Sequence, residues 1–108
     1  LISHKDKLIP LAIHNVVCFY SKNEIVRAIT EDGQRHTIDK ALDTLMVKLD
    51  QDVFFRANRQ FIIAHRAIKE VAVWFGNRLA VILTVPTEEQ IIISKARVSA
   101  FRKWLAQN

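Results

Sequence analysis

The chain has 108 residues, half of them apolar, with 16 Lys or Arg against 11 Asp or Glu and a formal net charge of +5. That length and apolar content fit one compact domain, residues 1–108, able to bury a core. There is no apolar run of roughly eighteen residues, and the opening LISHKDKLIP is charged. A membrane helix or secretion signal is therefore not expected, and a soluble cytoplasmic domain is. The lone Cys18, inside the apolar run VVCFY, excludes an internal disulfide and reads as a small core residue. No initiator methionine precedes Leu1, so the fragment is expected to belong to a longer protein.

In chain order, KLIPLAI and NVVCFYS read as early strands, with Pro10 favouring an edge position for the first. NEIVRAIT and RHTI flank EDGQ, whose Asp32-Gly33 pair suits the tight turn of an antiparallel hairpin. In KALDTLMVKL the residues Leu42, Leu45, Met46 and Leu49 recur at helical steps, with Asp39 or Thr37 as candidate caps. FFRA and QFII read as two brief strands with Asn58-Arg59 as the corner between them. IKEVAVW and LAVILTV flank Gly76-Asn77, which supply the positive φ that such a turn needs. Pro86 closes that ribbon before EEQIIIS, which reads as a further strand. SKARVSAFRKWL closes the chain as a helix with Ser94 as its cap. Val98, Phe101 and Leu105 share its apolar face, Trp104 lies at the edge, and Lys95, Arg102 and Lys103 fall opposite. The expected fold is mainly β (α+β): antiparallel strands and hairpins in small sheets, with two short helices.

Catalytic constellations are missing from the sequence. His4, His14, His36 and His65 lack metal-ligand spacing, and no second cysteine is available. Gly33 and Gly76 stand alone, so there is no phosphate-cradling loop. Glu88 and Glu89 are adjacent in a turn, where neighbouring side chains diverge and cannot pair as acid and base. No enzyme activity, cofactor, metal or small-molecule substrate is expected.

Charge is unevenly shared. Residues 1–53 hold seven Lys or Arg against eight acids, and residues 54–108 hold nine against three. That asymmetry points to a polyanion such as nucleic acid or to an anionic membrane surface, the plainer reading being a basic face that keeps the domain soluble. FFRANRQFIIAHR concentrates the question, since it sets Arg56, Asn58 and Arg59 among apolar residues with no acid in the stretch. A corner there would project polar side chains from a rigid scaffold. Arginine can fork onto guanine or phosphate and asparagine can bond adenine, while the structural reading is that they satisfy carbonyls and cap the turn. Arg56, within the strand, is the more structural of the three.

VFFRANRQFIIAHRAIKEV resembles the signature of the LytTR DNA-binding domain of bacterial response regulators: Phe, x, Arg, x, His, Arg, Ser, aromatic, two aliphatics, Asn. Phe54 or Phe55, Arg56, Arg59, Phe61, Ile62 and Ile63 match. The resemblance extends over most of the chain, through the early strand pair, the Asp-Gly hairpin, TIDKALDTLMVKL and IIISKARV. It implies an antiparallel β fold whose loops and strand ends enter successive major grooves of duplex DNA. Asn58 stands in place of the family's His, Gln60 of its Ser, Ala64 of its Asn and Lys95 of its Arg. The first, second and fourth still hydrogen-bond; Ala64 supplies no amide contact.

The resemblance implies DNA contacts from Lys22 and Asn23 in the early turn, from Asn58, Arg59 and Gln60 at the corner, and from Lys95 and Arg97 at the start of the last helix. Arg59, Asn58 and Arg97 are expected to reach base edges and Lys22, Asn23 and Lys95 to position the backbone. Double-stranded DNA is the expected partner, bound as a homodimer or in tandem on a repeated site, with a receiver or membrane module upstream. Two other readings are a β-rich module docking an acidic protein and a single-stranded nucleic-acid binder. The second is disfavoured because Phe54, Phe55, Phe61 and Phe75 lie in runs suited to a core.

Overall fold

The structure is a computed structural model that describes residues 2–4, 7–9 and 11–107. β1 (Ile2–His4) and β2 (Lys7–Ile9) form an antiparallel ribbon, followed by a 3-10 turn at Ile13–Asn15. The first long strand is β3 (Val16–Lys22), then β4 (Ile25–Thr30) and β5 (Arg35–Ile38). Helix α1 (Leu42–Lys48) leads to β6 (Phe54–Arg56) and β7 (Phe61–Ala64). These last five strands make one antiparallel sheet in the order β5-β4-β3-β7-β6. A three-stranded sheet, β10-β9-β8, follows from β8 (Ile68–Trp74), β9 (Arg78–Leu83) and β10 (Ile91–Ile93). Helix α2 (Val98–Ala106) ends the chain.

The central strands are the continuously apolar ones. Val16 to Tyr20 of β3 and Phe61 to Ala64 of β7 are buried throughout, as befits strands paired on both edges and covered on both faces. β5, at the sheet edge, alternates between exposed and half-buried. Helix α1 buries Leu42 and Leu45 and lays Met46 and Leu49 against the core, the stripe its spacing predicts. Helix α2 sinks Phe101 and Trp104 into a ring cluster with Phe55, whose centroid lies 5.3 Å from Phe101 and 5.1 Å from Trp104. Trp104 is therefore central to that helix's contact and not at its edge. Its indole donates to the Gln51 carbonyl at 3.0 Å. The edge of the His65 ring meets the same indole, and His65 bonds the Leu105 carbonyl through Nε2, so this histidine fastens α2.

Several boundaries differ from the expected ones. KLIPLAI is a strand only over Lys7–Ile9; the reading of Pro10 lies outside the described residues. Asn23, which the resemblance put in the early turn, is in it together with Glu24, which was read as strand; their φ angles are 52° and 64°. Two successive left-handed residues match the right-handed twist of the flanking strands. Gly33, at φ 84°, and the Gly76-Asn77 pair, at 67° and 60°, supply the positive angles the sequence pointed to. The last strand of the meander is cut to Ile91–Ile93, leaving residues 84–90 as a loop. None of the candidate caps acts through its side chain. Ala41 precedes α1, and Ser94 instead opens a 3-10 turn, Lys95–Arg97, that feeds α2 from Arg97. Thr37 is held in the β4–β5 ladder.

Phe101 is fully buried. Phe101→Ala is expected to cost about 3–5 kcal/mol, read as a fall in the urea midpoint with an unchanged slope. Cys18 is buried in β3, and that burial pushes its thiol up to about 12, Arg35 opposing weakly. Labelling by a disulfide reagent at about pH 8 should therefore track unfolding; rapid labelling of native protein would contradict a closed strand. Because the folded state favours the neutral thiol, its contribution is intact below the ordinary value of 9.0 and declines as pH rises toward about 12.

Candidate nucleic-acid interface

The reversal between β6 and β7 is built by two side chains. Arg56 donates from Nε to the Asn58 carbonyl at 2.7 Å and from one terminal nitrogen to the Arg59 carbonyl at 2.9 Å. Its other terminal nitrogen meets Asp43 of α1 at 2.7 Å. The missing acid thus comes from elsewhere in the chain. Asn58 works from inside the corner: its Oδ1 accepts from the backbone N–H groups of Gln60 at 2.8 Å and Phe61 at 3.0 Å, and its Nδ2 donates to the Ile92 carbonyl at 2.8 Å. This is an Asx-type turn that also ties the corner to β10. The side chain expected to reach a base edge is thus committed to the fold.

Direct bonds join the corner to the other two predicted places. The Ser21 N–H donates to the Gln60 carbonyl at 2.9 Å, which fixes the tip end of the β3–β4 hairpin beside the corner. On the other side the Ser94 N–H reaches the Ala57 carbonyl at 3.4 Å, so the segment Lys95–Arg97 emerges next to it. A groove lined by Asp43, Arg56, Asn58, Arg59, Gln60, Ser94 and Arg97 runs along this side. Ser21, Glu24 and Lys40 join Arg59 in lining a second groove toward the hairpin.

The seven predicted residues divide into two groups. Asn23, Arg59, Lys95 and Arg97 are exposed, and their side chains have no hydrogen-bond or ion-pair partner among the described residues. The Arg97 guanidinium rests over the Phe55 ring, 5.2 Å from its centroid, which anchors it on the core without neutralising it. Lys22, Gln60 and Asn58 are engaged. Lys22 pairs with Glu88 at 2.8 Å, and Gln60 donates to Glu89 at 2.7 Å. The hydrogen bond and charge of Lys22 hold the Glu88 carboxyl below its usual range, while Glu88 holds the Lys22 ammonium above its own. The surface is accordingly mixed in sign. Asp43, Glu88 and Glu89, which organise it, were not read as part of the site from sequence, since each meets its partner across at least 13 residues. Among the described residues no cluster of three or more His, Cys, Asp or Glu could hold a metal ion. No helix is long and apolar enough to cross a membrane.

An antiparallel β framework that gathers strand ends and free guanidinium groups on one surface defines a module for an anionic partner. The chain belongs to the LytTr DNA-binding domain family, whose model matches residues 6–106. It is 28% identical over 104 residues to the sensory transduction protein LytT of Enterococcus faecalis (strain ATCC 700802 / V583), covering 96% of this chain and 42% of that one. The chain thus spans less than half the length of that curated relative. The solved structure of a LytTr DNA-binding domain from Bacillus cereus superposes with a TM-score of 0.82 at 23% identity, over 96% of this chain and 93% of the other. The mainly β architecture, the resemblance and the expected fold agree with these matches.

Asn58→Ala leaves the Gln60 and Phe61 N–H groups and the Ile92 carbonyl without their partner. It is expected to cost about 2–3 kcal/mol of stability, whereas Arg59→Ala should stay within about 0.5 kcal/mol. Paired thermal unfolding measurements test the contrast, and similar values for the two would remove the distinction.

Proposed function

We propose that the chain is the sequence-specific DNA-binding output domain of a bacterial response regulator acting in the cytoplasm. It grips a short duplex element with side chains in successive major grooves, as two copies on a repeated site. In the full-length protein a receiver or membrane module lies upstream. The observation that carries this reading is the hydrogen-bonded junction at residues 57–60, which sets unpaired Arg59 between the early hairpin and the start of the last helix.

In this proposal Arg59 and Arg97 reach base edges, where a guanidinium forks onto guanine O6 and N7. Lys22, Asn23 and Lys95 contact phosphates and set the register. Asn58 was expected to read a base as well; with its amide held inside the turn, the role proposed for it is to fix the aim of Arg59. Gln60 joins the interface once its bond to Glu89 is exchanged. A single-stranded ligand stacked on aromatic rings is less well supported, because Phe54, Phe55 and Phe61 are buried; Phe75, read as a core residue, is instead 76% exposed at the β8–β9 turn, where its ring meets Trp74.

Selection from a random duplex pool, followed by titration of the enriched site, tests the proposal. With about five phosphates neutralised, log affinity should fall against log salt with a slope of roughly −4.5. Arg59→Ala is expected to cost about 1–3 kcal/mol and blur preference at one base pair, while Lys95→Ala weakens every sequence alike. A slope near zero, or no enrichment from the pool, would reject duplex recognition.

A further inference from the structure

The loop 84–90 between β9 and β10 carries two adjacent carboxylates, and both land on residues of the proposed DNA face. Glu88 holds Lys22 at 2.8 Å and Glu89 holds Gln60 at 2.7 Å. Lys22 ends β3 and Gln60 immediately precedes β7, at the place where the two strands meet, as the Ser21–Gln60 backbone bond shows. The loop is itself held in register. The Thr87 hydroxyl donates to the Glu89 carbonyl at 2.8 Å, Arg35 reaches the Pro86 carbonyl at 3.4 Å, and the Thr84 N–H donates to the Ala67 carbonyl at 2.8 Å. Tyr20, Arg35 and Phe61 form the floor of a small pocket under Thr87, Glu88 and Glu89, so the loop lies on the sheet.

We infer that Glu88 and Glu89 form an intramolecular brake on DNA binding, occupying the positions of phosphate oxygens at Lys22 and Gln60 until a duplex displaces them. The inference rests on the proposed DNA-binding function. Its chemistry is that of competing anions: a carboxylate and a phosphate oxygen offer the same kind of acceptor to the same donors, and two negative groups drawn to one ammonium repel each other. An exposed ion pair is weak and screened by salt, so a polyanion displaces it without unfolding anything. Displacement leaves two negative charges beside the incoming phosphates, which repel them whatever the base sequence. The brake therefore lowers affinity for all duplexes together and leaves base preference to Arg59 and Arg97.

The experiment compares wild type, E88Q, E88Q/E89Q, K22A, K22A/E88Q and R59A by titration with the enriched duplex and with a scrambled one, over a range of salt. Glutamine keeps the shape and removes the charge. E88Q/E89Q is expected to bind both duplexes roughly 3- to 10-fold more tightly, with a salt slope steeper by about 1, because no displaced carboxylate then takes up a cation as the duplex binds. In the K22A background the gain from Glu88→Gln should shrink, since its partner is gone. Wild-type binding that depends on Arg59 but is unchanged in E88Q/E89Q overturns the brake and leaves the proposed function standing. A loss confined to the enriched duplex also overturns it, because the carboxylates would then be reading bases. A wild type that binds no duplex overturns the proposed function and the brake with it.

Discussion

Three donors of one guanidinium hold the chain reversal between β6 and β7. Arg56 closes the carbonyls of Asn58 and Arg59 on one side and Asp43 on the other. Charge-assisted bonds to carbonyls contribute roughly 1.5–3 kcal/mol each where water is largely excluded, and the Arg56 side chain is only 18% exposed. The Asp43 carboxylate is 91% exposed, so that arm is screened and the carbonyl bonds dominate. Asn58 completes the knot from within by bridging to β10. What results is a corner with almost no conformational freedom, from which Arg59 projects. Under the proposed function that fixed origin matters, since a base contact read by one forked side chain would depend on it.

The early hairpin and the start of the last helix inherit their positions from this corner. Each is bonded to it through the backbone, by Ser21 to Gln60 and by Ser94 to Ala57. Arg97 adds a link to the interior through the Phe55 ring, which packs against Phe101 and Trp104. The face is therefore continuous with the core, and substitutions in α2 that loosen the ring cluster would also move Arg97. Its acids serve geometry and balance: Asp43 orients Arg56, while Glu88 and Glu89 meet Lys22 and Gln60. Net charge alone, +5 over the chain, hides this mixture.

Local chemistry made much of the fold legible in the sequence. Asp32-Gly33 and Gly76-Asn77 mark turns because few residue types accept a positive φ, and the stripe of α1 follows from its 3.6 period. Continuous runs such as VVCFY and FIIA identified the doubly covered strands. Glu24 was read into the strand because glutamate gives no turn signal, so it takes up its left-handed angle beside Asn23 unannounced. Helix starts were misread for another reason. Thr37 was claimed by a ladder, and Ser94 by a 3-10 turn, before either could cap. Arg59 was placed at the corner by the apolar runs on either side of it, whereas the placement of Arg97 came from a family likeness. The engagement of Asn58, Lys22 and Gln60 depends on contacts across strands and loops that no local pattern encodes.

The strand order carries a consequence for synthesis. β3 has its chain neighbour β4 on one edge and β7, about forty residues later, on the other. While a ribosome is still adding the residues between, this strand, with five buried residues in a row, has one side of its ladder unoccupied, bordered by Cys18, Phe19 and Tyr20. At translation rates of about 5–20 residues per second that interval lasts on the order of seconds. A nascent chain stalled before Phe61 would present a template for intermolecular pairing, so this domain's yield in a cell is tied to how quickly its second half emerges.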